Sequence, residues 1–389
     1  MKTTTIKTDL FEDVTQFVRQ QFDEPDAFIP LHVPRFEGKE KEYVMDAIDS
    51  TFVSSVGAYV DKFEEMMCNI TGATHAVATV NGTSALHVAL ILAGVEPGDE
   101  VITQPLTFVA TANAISYTGA KPVFIDVDRD TMGLSPGKLN RFLSEVLVKE
   151  GGVWVNRFTG KRITACVPMH TFGLPARVDE IRAVCDEFNI PLIEDSAESL
   201  GSTYKGTHTG RFGTLGVFSF NGNKTVTAGG GGAIITDDED LAKRAKHITT
   251  TAKKPHKWEY VHDEIGYNYR MPNLNAALAC AQLEQLDHYV ENKRELAGHY
   301  RTFFKSRGIE FIDEIDSAKS NYWLNAICLE NRDQRDVFLS YTNEKGVMTR
   351  PIWRLMNKLE MFNNCQTGDL SNSEWLEDRI VNIPSSVRL

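Results

Sequence analysis

Residues 218–238 read FSFNGNKTVTAGGGGAIITDD, and in them Lys224 stands between an apolar, strand-like run and four consecutive glycines. A lysine held in a protein interior shifts its pKa downward, turns nucleophilic and can condense with a carbonyl. A surface lysine does neither, and most lysines are on surfaces. Here the ten residues before Lys224 carry no charge. A second candidate is Asp195 in IEDSAES (193–199), at the C-terminal end of an apolar run. Open α/β sheets bind ligands at such ends, where a carboxylate can hold a cationic ring nitrogen. It can equally cap a helix or close a structural ion pair. In NGTSALH (81–87), Gly82, Thr83 and Ser84 lie where a strand gives way to a helix. Free N–H groups and hydroxyls attract an anion there, and ordinary capping by Asn81, Thr83 or Ser84 uses the same residues. Gly229–Gly232 permit positive φ and close backbone approach, which suits a large cofactor or substrate lying against them.

These residues need a frame, and the chain supplies a regular one from about residue 75. HAVATV (75–80), EVITQP (100–105), KPVFIDVD (121–128), ITACVPMH (163–170) and PLIEDSA (191–197) read as strands. Segments with apolar residues every three to four positions separate several of them, as in GTSALHVALILAGV and FVATANAISYTGA. Strands alternating with helices imply βαβ crossovers and a mostly parallel sheet covered on both faces. GVFSF (216–220) and GGAIITDD (231–238) add two strands close together, and KEGGVWVNRFTGKRIT (149–164) interrupts the rhythm as an inserted hairpin or loop. Leu274, Ala277, Leu278, Ala281, Leu283, Leu286 and Tyr289 fit one face of a long helix running from Pro272 to about Arg307. A smaller α/β unit follows. The resulting division is an N-terminal helical extension (1–30), a large domain (31–270), and a long helix with a small C-terminal domain (271–389).

Bulk properties narrow the function. The 389 residues are 42% hydrophobic and carry a formal net charge of −12. Nucleic-acid binding usually shows as a basic stripe, and none is present, so no nucleic-acid partner is expected. No segment approaches the ~18 apolar residues of a membrane span. Leu10, Phe11, Val14, Phe17, Val18 and Phe22 recur at helical spacing among polar residues, unlike an export signal. The six cysteines are scattered with no C-x-x-C spacing, which disfavours a zinc site or a disulfide framework and fits a reducing cytoplasm. No metal is expected. Neither G-x-G-x-x-G nor G-x-x-x-x-G-K-[ST] occurs at the glycines: they precede a strand, and Asn223 separates Gly222 from Lys224.

An anion cradle, a carboxylate at a strand end, a flat residue for stacking and an activated lysine together make the inventory that pyridoxal 5'-phosphate requires. At this point the chain resembles the DegT/StrS-type aminotransferases, sugar-nucleotide enzymes of PLP fold type I. NGTSAL (81–86), PLTFVATANAI (105–115), KPVFIDVD (121–128), IEDSAESLGSTYKG (193–206), FSFNGNKTVTAGGGG (218–232) and GYNYRMPNLNAA (266–277) carry the resemblance, in the family's order. It implies an α/β large domain with a mostly parallel seven-stranded sheet between helices. It implies that Lys224 holds the cofactor aldehyde and later shuttles a proton, and that Asp195 pairs with the ring nitrogen. Glu198, where many members have Gln or His, would approach the ring hydroxyl, and Phe108 would stack on the ring. Gly82, Thr83 and Ser219 would hold the phosphate, with Asn268, or Arg270 beside it, reaching in from the second subunit of a homodimer.

The stretch FIPLHVPRFEGKEKEYVMDAIDSTFVSSVGAYVDKFE (28–64) resembles the subgroup serving legionaminic acid and bacillosamine-type sugars. The implied reaction moves an amino group from L-glutamate to C4 of a UDP-linked 4-keto-6-deoxy-N-acetylhexosamine. Phe52–Gly57 would line the sugar pocket or form a plain turn. Aminotransfer to another nucleotide keto sugar, of the perosamine type, is the alternative. A sugar dehydratase of the same family replaces the lysine with histidine, so Lys224 disfavours it. A cofactor-sensing regulator without turnover needs a DNA-binding segment, and a nicotinamide oxidoreductase needs the missing fingerprint.

Overall fold

A computed structural model describes residues 8–151 and 153–388. Three helices open the chain: α1 (Thr8–Phe22), α2 (Glu40–Asp49) and α3 (Ala58–Thr71). Alternating units follow as β1 (His75–Thr79), α4 (Gly82–Leu92), β2 (Glu100–Thr103), α5 (Val109–Tyr117), β3 (Lys121–Phe124) and α6 (Pro136–Val146). The inserted segment is an antiparallel hairpin, β4 (Leu147–Glu150) with β5 (Val153–Asn156). Next come β6 (Ile163–Val167), α7 (Val178–Glu187), β7 (Ile193–Asp195), short β8 (Thr203–Tyr204) and β9 (Thr207–His208), β10 (Leu215–Ser219), β11 (Gly232–Thr236) and α8 (Glu239–Thr249). The last third holds α9 (Asn273–Leu283), α10 (Leu286–Lys305), β12 (Glu310–Phe311), β13 (Ala318–Lys319), β14 (Asn325–Cys328), α11 (Arg332–Glu344), β15 (Arg350–Pro351), α12 (Ser371–Glu377) and β16 (Ile380–Ile383).

The site is framed by two ladders, ordered β3-β2-β6 and β1-β11-β10-β7. β2 runs parallel to β3 and β6, and β10 parallel to β7; β11 is antiparallel to both its neighbours. Parallel bridges at Cys166–Leu192 and Met169–Asp195 set β6 beside β7. α4 lies against β10 and β11 with α5 and α8 on its other sides, which is why Ala85 to Leu90 are all buried and the helix has no polar face. β12-β14-β16-β15 form a separate antiparallel sheet.

α1 is the helix that the N-terminal spacing predicts. Its Phe11, Val14 and Val18 are 1% exposed and pack with Tyr300, Phe303, Phe304 and Phe338 of α10 and α11. The predicted long helix is two helices. At Glu284–Gln285 the backbone tightens, with Gln285 N–H donating to the Gln282 carbonyl. Glu284 is also drawn aside, accepting from Tyr43 Oη at 2.7 Å and Lys62 Nζ at 3.1 Å. Among the described residues no helix is long and apolar enough to cross a membrane.

Candidate active site

The C-terminal ends of β7 and β10 open into a cavity of about 300 Å³. Asp195 closes β7 and Ser219 closes β10, so the parallel register alone puts both at the rim. Lys224 follows in the turn after β10, with its N–H donating to the Asn221 carbonyl at 3.0 Å. Across from them is the N-terminus of α4, where Asn81 caps by accepting from Ser84 N–H at 2.8 Å. Gly82 and Thr83 border the cavity there. A Cβ on Gly82 would stand 2.8 Å from Ser219 Cβ, so only glycine lets α4 approach β10 this closely. Phe108, at the N-cap of α5, projects into the same space and is 50% exposed, leaving a ring face free.

Charge inside the cavity is concentrated on three groups. Lys224 Nζ lies 3.3 Å from Glu198 Oε1, with side-chain exposures of 13% and 1%. Burial pushes the Glu198 carboxyl up to about 7, opposed by the Lys224 charge and by the Phe172 N–H, which donates to Oε2 at 2.9 Å. Asp195 is also pushed up by burial. Its Oδ2 accepts from Thr111 Oγ1 at 2.7 Å and its Oδ1 from Ala197 N–H at 3.2 Å, both of which favour the carboxylate. The arrangement offers a nucleophilic amine, a buried anion to hold a cation, and hydroxyls with a helix N-terminus to hold an anion.

The DegT/DnrJ/EryC1/StrS aminotransferase family pattern matches residues 34–389. The chain belongs to this family. EpsN of Bacillus subtilis (strain 168), named for a pyridoxal phosphate-dependent aminotransferase, is 38% identical over 335 residues, 86% of this chain and 84% of that protein. GDP-perosamine synthase of Escherichia coli O157:H7 is 36% identical over 335 residues, 86% of this chain and 87% of the relative. The crystal structure of a DegT DnrJ EryC1 StrS aminotransferase from Brucella abortus superposes with a TM-score of 0.81 at 26% identity, covering 89% of this chain and 90% of that one. The protein is therefore a pyridoxal phosphate-dependent aminotransferase with an α/β fold.

The aminotransferase cavity brings together Gly82, Thr83, Phe108, Asp195, Glu198, Ser219 and Lys224, drawn from positions up to 142 residues apart along the chain. They fit the cofactor: a lysine faces a buried carboxylate pair, and the missing Cβ of Gly82 keeps the anion cradle open. Asn268 is not in the cavity of its own chain. It bridges Thr250 instead, and Arg270 bridges Thr79. Phe52–Gly57 also lies away from the cavity, pinned as a turn by Asn273, whose Nδ2 donates to the Phe52 carbonyl at 2.6 Å.

The four glycines do allow the positive φ and close backbone approach expected of them, but not against the cavity. None borders the cavity. A Cβ on Gly232 would meet the Asn81 backbone at 2.5 Å, and one on Gly231 the Met271 side chain at 2.9 Å. The bareness of Gly232 lets β11 pass beneath the loop that begins α4, and Gly229 takes the positive φ, 73°, that glycine allows. Sequence reading missed Thr111, Trp323 and Trp353, all of which line the cavity. Thr111 had a signal, since it lies one helical turn into α5 beside Phe108; the tryptophans, isolated in the C-terminal third, had none.

Proposed function

We propose that this aminotransferase moves the amino group of L-glutamate to C4 of a nucleotide-linked 4-keto-6-deoxy sugar, in a site completed across a homodimer. The observation that carries it is the Lys224 ammonium, nearly buried against Glu198 in the same cavity as Asp195. When bound, pyridoxal phosphate withdraws electrons from the carbon bearing the amino nitrogen. The chain's residues do the rest. Asp195, anchored by Thr111, holds the ring nitrogen protonated. Phe108 gives a stacking face, and Glu198 lies toward the ring hydroxyl. Gly82, Thr83 and Ser219 bind the phosphate, joined by Asn268 of the partner subunit. Lys224 Nζ takes the proton from the glutamate α-carbon and in the second half-reaction delivers one to the sugar C4.

Two acceptors have specific support. A GDP-linked sugar of the perosamine type is supported by the E. coli relative's name. A UDP-linked 4-keto-6-deoxy-N-acetylhexosamine, for legionaminic acid or related surface glycans, is supported by residues 28–64. Supplying both keto sugars with L-glutamate and measuring 2-oxoglutarate release tests the reading. Release with the GDP sugar alone selects the first and with the UDP sugar alone the second; release with neither refutes the proposal. We read the two ladders around the site as one seven-stranded sheet, joined through the β6–β7 bridges. The core of residues 31–270 then forms the large domain, and 271–389 carries the smaller one, on which α1 of the N-terminal extension (1–30) is docked. A cytoplasmic enzyme is consistent with six free cysteines.

A further inference from the structure

Trp323 comes from the C-terminal third, yet it is held against the reactive lysine from three sides. Lys224 Nζ stands 3.9 Å from the centroid of its ring. The indole N–H donates to the carbonyl of Asn223, the residue before Lys224, at 2.6 Å. The Trp323 N–H donates to Asn321 Oδ1 at 2.9 Å, and its carbonyl accepts from the buried Lys293 Nζ at 3.2 Å. Asn321 is itself locked, donating to the carbonyls of Glu198 and Leu200 at 2.9 Å each. Tyr322 between them sits at φ 44°, a left-handed conformation that costs a bulky residue energy. A tryptophan that merely filled the core would need neither the strain nor the tie to Asn223.

We infer that Trp323 is a positioning residue for the proton shuttle, its ring face holding the Lys224 ammonium between taking up a proton and giving it away. The inference rests on the function proposed above. In the glutamate half-reaction the neutral amine takes the α-proton: a C–H bond breaks, an N–H bond forms, and the electron pair stays with the carbon framework. With the cofactor bound to supply an acceptor carbon, the ammonium would pass that proton on and be neutral again. The negative face of an indole attracts a cation but not a neutral amine, so it stabilises the charge that develops on Nζ as the proton is taken. Glu198 helps only while it is ionised, whereas the indole face acts in either state of that carboxyl.

The test is single-turnover bleaching of the yellow holoenzyme by L-glutamate, with and without deuterium at the α-carbon. Trp323→Leu should keep the yellow band and the affinity for glutamate, bleach roughly 10-fold more slowly, and show a larger isotope effect than wild type. Trp323→Phe, with a weaker but similar face, should fall between the two; it also decides the matter if the leucine variant does not hold cofactor. An unchanged rate and isotope effect in the variants overturns the inference. So does a loss confined to glutamate affinity or to the sugar half-reaction, which would make Trp323 a substrate wall. If wild-type enzyme itself does not bleach, the proposed function falls and this inference with it; if wild type bleaches and the variants match it, this inference alone falls.

Discussion

At Glu198 the folded chain holds a proton that the unfolded chain gives up. Its carboxyl is pushed up to about 7 from an ordinary 4.5, mainly by burial. Within that window folding grows less favourable as pH rises, and above it the cost is constant. The shift corresponds to about 3 kcal/mol. Glutamine does not titrate, so cofactor-free wild type should lose about 3 kcal/mol of stability relative to Glu198→Gln between pH 4.5 and 7.5. Urea titrations at several pH values check this, and a pH-independent difference would refute it. Lys224→Ala removes both the cofactor's attachment and the proton carrier. Borohydride reduction followed by mass spectrometry should then find no cofactor on the chain, and turnover should fall by at least roughly 100-fold. Lys224 and Asp195 were readable from sequence because each ends or follows an apolar run whose strand assignment is secure. Thr111 was signalled only by its place one turn into α5 and Trp323 not at all, since their roles depend on a contact 84 residues away in one case and on a lysine 99 positions upstream in the other.

Elements place these side chains, and two of them allow a sharp test. The close approach of α4 to β10 rests on Gly82, where an added Cβ meets Ser219 Cβ at 2.8 Å. Gly82→Ala should push the helix start away and weaken cofactor binding by about 1–3 kcal/mol, read from absorbance titrations with pyridoxal phosphate. If affinity is unchanged, the cradle is not where the phosphate sits. α1 lies outside the cavity, and Phe11 packs edge-on against Phe338 with ring centroids 5.2 Å apart. Phe11→Ala should cost about 3–5 kcal/mol in urea unfolding and leave cofactor affinity untouched. The helical period of α1 was plain in the sequence, but its docking surface was not, because the partner residues lie about 290 to 330 positions later. The break between α9 and α10 was hidden for the opposite reason. Leu283, Leu286 and Tyr289 keep the three-to-four spacing across it, while the turn is made by backbone and by the bonds of Glu284 to Lys62 and Tyr43.

At the scale of the whole molecule, the loop before Asn268 exposes apolar side chains that its own chain leaves uncovered. Trp258, Tyr260 and Ile265 are 74%, 81% and 84% exposed, in the segment just before Asn268. Large apolar side chains gathered on one loop mark a contact surface, and a second copy of the chain is the occupant that would also carry Asn268 into the neighbouring cavity. In the proposed C2 dimer the two sites would be equal, each with Lys224 from one chain and Asn268 from the other. This geometry can be separated from a self-contained site by mixing two crippled chains. Asn268→Asp puts a negative charge against the phosphate, and Lys224→Ala removes the shuttle, so each homodimer should be nearly inactive. In the heterodimer one site collects both defects and the other collects none. Differently tagged chains, co-expressed and purified as the mixed species, should therefore show about half the wild-type glutamate-to-sugar activity per dimer. If Asn268 served its own chain, both sites of the mixed species would carry a lesion and no activity would return. The same exchange with Arg270→Glu in place of Asn268→Asp distinguishes the two neighbours, since only the residue that crosses to the other site can be complemented.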